Sequence, residues 1–118
     1  MNLNIFEFII KIIPKMKPVG MGDMIPEFSL KDQNGELFDV KSVLGIKRLV
    51  IFFYPQDGSL NCTKEACYFR DINDLFIEND AVVIGISGQS VESHREFASN
   101  NRLTYKILSD PDNKVRKL

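Results

Sequence analysis

Two continuous apolar runs constrain this chain more than any other feature: RLVIFFYP at residues 48–55 and AVVIGIS at residues 81–87. Each is rich in β-branched and aromatic residues and lacks the strict alternation of a half-solvated strand, so each reads as a strand buried on both faces. Helical periodicity fills the segment between them, from about residue 62 to 78, and returns from about 90 to 100. TYKILSD then offers a third strand, and DPDNKVRKL starts as a further helix. Strands alternating with helices imply right-handed βαβ crossovers. The expected fold is therefore α/β, with a central, mostly parallel sheet and flanking helices.

Upstream, EFSLKDQNGELFDV alternates apolar and polar residues on both sides of Asn34-Gly35, the strongest short hairpin signal in the chain. Ser42 is placed to cap a brief helical turn before the first apolar run. In residues 1–18 the polar side chains Asn4, Glu7, Lys11 and Lys15 recur at helical steps opposite an apolar face. This predicts an amphipathic helix stopped near Pro14, an extension to one domain over residues 19–118. Glu7 and Lys11 interrupt the run, and neither a basic leader nor a small-residue cleavage site accompanies it, which argues against a signal peptide and for a cytoplasmic protein. The stretch is also short for a membrane span, and packing on its own domain or a second copy is preferred to a membrane surface.

Composition narrows the function. A net charge of -1 on 118 residues leaves no basic excess to draw the chain to nucleic acid. Two cysteines are too few for a disulfide scaffold, and with a single histidine they fall one ligand short of a closed zinc site. SDPDN lacks the glycine and distant glutamate of a calcium-binding EF-hand, so helix capping is its simpler role. His94 lies on the apolar side of its predicted helix, where a satisfied structural role outweighs a catalytic one.

Both cysteines fall in DGSLNCTKEAC, residues 57–67. With Asn61 taken as N-cap, Cys62 occupies the first turn of a helix, where free N–H groups and the positive end of the dipole favour a thiolate and hence a nucleophile. Helical projection puts Cys62 with Ala66, Phe69, Ile72 and Phe76 towards the sheet, and Cys67 roughly 140° away among Lys64, Asp71, Asp74 and Glu78. The same projection sets the two α-carbons about 8.6 Å apart, beyond the roughly 7 Å that a disulfide bridges. A bond between them requires the helix to unwind. A permanent staple is thus disfavoured, whereas a bond formed only after Cys62 is oxidised, gated by local unfolding, fits.

YPQDGSLNCTKEACYFRD resembles the active-site segment of peroxiredoxins, specifically the peroxiredoxin Q or bacterioferritin comigratory protein group. EFSLKDQNGELFDV is similar to that family's N-terminal hairpin, and ISGQSVESHREFASNNRLTYKILSDPDNKV to its following strand, helix and strand. The resemblance implies a thioredoxin-like fold and reduction of hydroperoxides without metal or bound cofactor. It places Cys62 as peroxidatic cysteine and Cys67 as resolving cysteine, with Pro55 and Ser59 matching the P-x-x-x-[T/S]-x-x-C motif. Ser59 hydroxyl and the Cys62 N–H would hold the peroxide oxygens, and Glu65 matches the glutamate three positions past the cysteine. The implied reductant is thioredoxin or a similar dithiol.

Two departures accompany the match. Ser59-Leu60-Asn61-Cys62 stands where the group usually reads Thr-Pro-Gly-Cys, so a shielding proline has become Leu60. The family also continues beyond the point matched by Leu118, through two strands, a helix and an arginine that stabilises the thiolate; Arg48, Arg70, Arg95, Arg102 and Arg116 all lie outside that motif. The expectation that follows is an uncovered edge beside RLVIFFYP, the contact of a homo-oligomer through that edge or the N-terminal helix. Against the peroxidase stands a second class, a catalytically silent or assembling thioredoxin-fold fragment. A disulfide-exchange enzyme is disfavoured because the spacing is C-x4-C.

Overall fold

The computed structural model of the protein describes residues 20–118, so the N-terminal helix expected over residues 1–18 lies outside the described residues. The chain folds as β1 (Ser29–Lys31), β2 (Leu37–Asp39), a 3-10 turn (Val40–Ser42), β3 (Arg48–Phe53), α1 (Leu60–Asp71), α2 (Asn73–Glu78), β4 (Ala81–Ser87), α3 (Val91–Asn100), β5 (Lys106–Ser109) and a 3-10 turn (Pro111–Asn113). The five strands form one sheet in the order β2-β1-β5-β4-β3.

Of the two apolar runs only AVVIGIS is a strand buried on both faces, as β4. β3 is expected to be equally buried but lies at the edge of the described sheet, where Phe52 alone of its residues is buried because β4 is its single partner among the described residues. β3 pairs parallel with β4 from Arg48↔Ala81 to Phe53↔Ile86, and β4 pairs parallel with β5 from Ile84↔Lys106 to Ser87↔Ser109. Both crossovers step the same way across the sheet, and crossovers of one hand then share a face. The packing agrees: Cys62 and Ala66 of α1 and Phe97 and Ala98 of α3 join Phe52, Val83 and Ile107 in one core cluster. A second cluster on Phe38, Val40, Ile84, Ile86 and Leu108 is covered by Ile25, Phe28 and the first 3-10 turn. Ile84, Ile86, Ile107 and Leu108 are fully buried, and at about 1.5–3 kcal/mol for each such side chain the β4–β5 pair is the rigid base under α1.

Gly85 marks the closest approach in this base. A Cβ there would stand 2.7 Å from Phe52 Cζ, so only glycine lets that ring lie across β4. Phe52 in turn stacks on Phe69 of α1, with centroids 4.6 Å apart. The strand thus seats the helix through an aromatic pair.

The hairpin forms as expected, but its loop spans residues 32–36 because Asp32 organises it. The buried carboxylate accepts from Asn34 N–H at 2.8 Å and Glu36 N–H at 3.1 Å, and Lys106 Nζ reaches it at 3.1 Å from β5. Burial pushes the Asp32 carboxyl up; the Lys106 and backbone hydrogen bonds outweigh this and hold it below the usual carboxylate range.

Two expected helices are revised. The single helix over about 62–78 is interrupted at Ile72 (φ −104°, ψ 8°), where Asn73 turns inward and its Nδ2 donates to Thr104 Oγ1 at 3.1 Å. The closing DPDNKVRKL stretch makes only a 3-10 turn at Pro111–Asn113, where Asp112 and Asn113 take positive φ and Asp110 accepts from the N–H groups of Val115 and Arg116. Among the described residues β3 pairs only with β4, and no helix is long and apolar enough to cross a membrane.

Candidate active site

Gly58, at φ +82°, turns the chain out of the sheet, and Ser59 follows in extended conformation as the N-cap of α1. The cap is therefore Ser59 rather than Asn61, and the helix starts two residues earlier than expected. Cys62 still falls in its first turn. Its N–H donates to Ser59 Oγ at 3.3 Å, which leaves the Ser59 hydroxyl proton free for another acceptor. The Cys62 side chain is buried beside Ala66, against the sheet as projected, while Leu60 is 71% exposed.

The loop that delivers Ser59 is anchored two residues upstream. Asp57 Oδ1 accepts from Tyr54 hydroxyl at 2.7 Å, and Oδ2 meets His94 Nδ1 at 2.6 Å and accepts from Ser93 Oγ at 2.8 Å. Asp57 N–H donates to Gln89 Oε1. His94 is fully buried, and its Nε2 lies 3.0 Å from the Leu108 carbonyl, an acceptor only. Both ring nitrogens thus face oxygen partners, which fixes the ring between the Asp57 loop and β5. Burial pushes the Asp57 carboxyl up, but the hydrogen bonds from His94, Tyr54 and Ser93 prevail and hold it below the usual carboxylate range. Burial and Asp57 together push the Tyr54 phenol up, so it remains a donor. His94 is accordingly the satisfied structural histidine that the sequence suggested, and it also fixes the loop entering α1.

The second half of α1 is held differently. Cys67 is half-buried rather than on an open stripe, and its Sγ lies 3.7 Å from Asn101 Oδ1. Arg70 Nη1 donates to the Asn101 carbonyl at 2.8 Å. Tyr105 hydroxyl donates to the Ala66 carbonyl at 2.6 Å, and burial, with Cys67 and Glu65 nearby, pushes that phenol up. Every one of these partners belongs to residues 101–105, between α3 and β5. Both cysteines are free thiols, Cys62 buried and Cys67 half-buried.

The structure thus brings Ser59 and Cys62 together and keeps Cys67 on the other side of the same helix. Pro55 and Glu65 are exposed, one in the loop after β3 and one on the outside of α1. Sequence reasoning missed Asp57, Gln89, Ser93, Asn101 and Tyr105. The place of Asp57 at the head of the cysteine segment was the available signal, since its partners Gln89, Ser93 and His94 lie more than thirty residues away. Among the described residues no three His, Cys, Asp or Glu side chains gather as a metal site.

Comparison with known proteins agrees with this geometry. The family described as AhpC/TSA matches residues 21–118. The chain is 46% identical over 99 residues to the chloroplastic peroxiredoxin Q of Gentiana triflora and 50% identical over 99 residues to that of Arabidopsis thaliana, covering 84% of this chain and 45% of each relative. It spans about half the length of the curated relatives it matches. Among solved structures it resembles the peroxidoxin BcpB of Mycobacterium tuberculosis, with a TM-score of 0.77 and 39% identity over 80% of this chain and 62% of that one. The bacterioferritin comigratory protein of Xanthomonas campestris gives 0.73 and 28%, over 76% and 57%. The described residues have the thioredoxin-like fold of these structures.

Proposed function

Because this chain belongs to the AhpC/TSA family, we propose that it is the thiol-bearing part of a peroxidase of the peroxiredoxin Q kind. The observation that carries the proposal is Cys62, buried in the first turn of α1 with its N–H on the hydroxyl of the capping Ser59. The thiolate of Cys62 attacks one peroxide oxygen; the S–O bond forms, the O–O bond breaks, and the departing oxygen leaves as alcohol or water after taking a proton. Ser59 hydroxyl and Cys62 N–H are the donors that hold the peroxide oxygens, displacing their mutual bond, with Pro55 shaping the loop and Glu65 supporting the helix end. Cys67 thiolate then attacks the sulfenic sulfur. An S–S bond forms, the S–O bond breaks, and hydroxide departs as water. A dithiol of the thioredoxin type reopens the disulfide by exchange. Residues 19–118 act as one domain with residues 1–18 as an extension, in the cytoplasm.

Peroxide consumption with a thioredoxin reducing system tests the reading. Cys62→Ser abolishes turnover, whereas Cys67→Ser still yields sulfenic acid at Cys62 but no intramolecular disulfide. Turnover unaffected by Cys62→Ser overturns it. One observation favours a second reading, a catalytically silent fold that assembles through β3: among the described residues that strand has a single partner. It predicts slow reaction with peroxide and an oligomer in solution, and a monomer with fast sulfenic acid formation excludes it.

A further inference from the structure

A disulfide between Cys62 and Cys67 cannot form while α1 is intact, since residues five apart in a helix stand about 8.6 Å apart at Cα. What resists the unwinding is therefore part of the chemistry. Four side-chain contacts join the second half of α1 and the break that follows to residues 101–105: Tyr105 hydroxyl to Ala66 carbonyl, Cys67 Sγ to Asn101 Oδ1, Arg70 Nη1 to Asn101 carbonyl, and Asn73 Nδ2 to Thr104 Oγ1. The first is the shortest, at 2.6 Å, and the most buried. It also falls on the peptide group that joins Ala66 to Cys67, so Cys67 cannot move its backbone without breaking it.

Tyr105 has a fixed base from which to hold. Its own carbonyl accepts from Gln33 Nε2 at 3.0 Å, and Gln33 Oε1 accepts from Ile107 N–H at 3.0 Å, which ties the residue to the hairpin loop and to β5. The ring meets Phe52 edge-on, with centroids 5.9 Å apart. Ala66 carbonyl has a second lone pair for its helical hydrogen bond, so the phenol is an addition to the helix rather than a replacement for one of its bonds.

We propose that Tyr105 is the latch on the resolving cysteine: its hydroxyl on the Ala66 carbonyl, backed by Asn101, sets how readily α1 opens for Cys67 to reach Cys62. The inference deepens the peroxidase reading and rests on it for its biological meaning, although the Cys62–Cys67 equilibrium itself does not depend on peroxide turnover. Tyr105 is a positioning residue, since it touches neither peroxide nor sulfur. Releasing the latch favours the disulfide over the folded dithiol and shortens the life of the sulfenic acid, which leaves less of it to be oxidised again to sulfinic acid.

Tyr105→Phe tests this, because it removes one hydroxyl and keeps the ring in place. The reduced protein is titrated with oxidised and reduced glutathione, in which two thiols of the protein lose two electrons and two protons to glutathione disulfide. The equilibrium constant for the Cys62–Cys67 disulfide should rise about fivefold in Tyr105→Phe, the factor that one hydrogen bond of ordinary net strength represents. Val40→Ala destabilises the opposite face of the sheet and should leave that constant unchanged, which separates a latch from general loosening. In stoichiometric peroxide, quenched and read by intact mass, Tyr105→Phe should form sulfenic acid at the wild-type rate and convert it to disulfide about fivefold faster. An unchanged glutathione equilibrium in Tyr105→Phe, or an equal shift in Val40→Ala, overturns the latch. Absence of sulfenic acid at Cys62 in the wild type overturns the peroxidase reading, and the glutathione titration still decides the latch.

Discussion

The two ends of α1 are held by different chemistry. At the start, Cys62 follows a loop anchored by a buried carboxylate that takes bonds from Tyr54, Ser93 and His94, with the Ser59 cap closing the last step. At the far end, the turn around Cys67 is held by the Tyr105 phenol and the Asn101 amide, both from one short connection, residues 101–105, and by the partly exposed Arg70 guanidinium, which donates to that connection. A buried carboxylate that loses a hydrogen-bond partner is left poorly solvated, whereas a neutral hydrogen bond that opens finds water. The difference teaches how one helix can serve two thiols: one end keeps its geometry while the other lets go.

The largest break in this comparison should come from His94→Leu. It removes a hydrogen-bond partner from the buried Asp57 carboxylate, a change of about 3 kcal/mol in unfolding free energy, read by urea denaturation. No change at the far end of α1 reaches that size. Ser59→Ala comes next: loss of the cap removes about 1 kcal/mol of stability, and loss of one preorganised donor slows sulfenic acid formation about 100-fold. A stability loss with an unchanged peroxide rate would confine Ser59 to capping.

Acid should weaken the anchored end. Asp57 titrates below its ordinary value of 3.8 in the folded state, so the stability it supplies is fully present above that value and is lost as pH falls through the lower folded value. Urea midpoints should therefore drop below pH 3.8 more steeply in the wild type than in Asp57→Asn. Asp32 is lowered in the same way and leaves a residual slope in both. The smallest effect belongs to Arg70→Met, which leaves the urea midpoint within error and shows only as faster hydrogen exchange of residues 67–71.

Much of this fold was legible in the sequence because its signals are local. The apolar runs became β3 and β4, the Asn34-Gly35 signal became the β1–β2 hairpin, and a 3.6-residue period put Cys62 and Cys67 on different sides of one helix. What escaped depends on contacts distant in sequence. Ser59 and Asn61 are equally good caps by composition, and only the turn at Gly58 chooses between them. The break at Ile72 is accompanied by the contact of Asn73 with Thr104, 31 residues away, and Asp57 meets His94 across 37. No periodicity records such pairs. Helical projection puts Cys67 among solvated side chains, whereas it is half-buried and its Sγ meets Asn101, in the connection after α3 and 34 residues away.

Amide hydrogen exchange along α1 in the reduced protein tests the central claim most directly. The amides of residues 67–71 should exchange through a local opening well below the global unfolding free energy, Thr63, bonded to the Ser59 carbonyl at 2.9 Å, should be better protected, and Tyr105→Phe should widen the gap. Uniform protection along α1, or earlier opening at Thr63, would contradict the account.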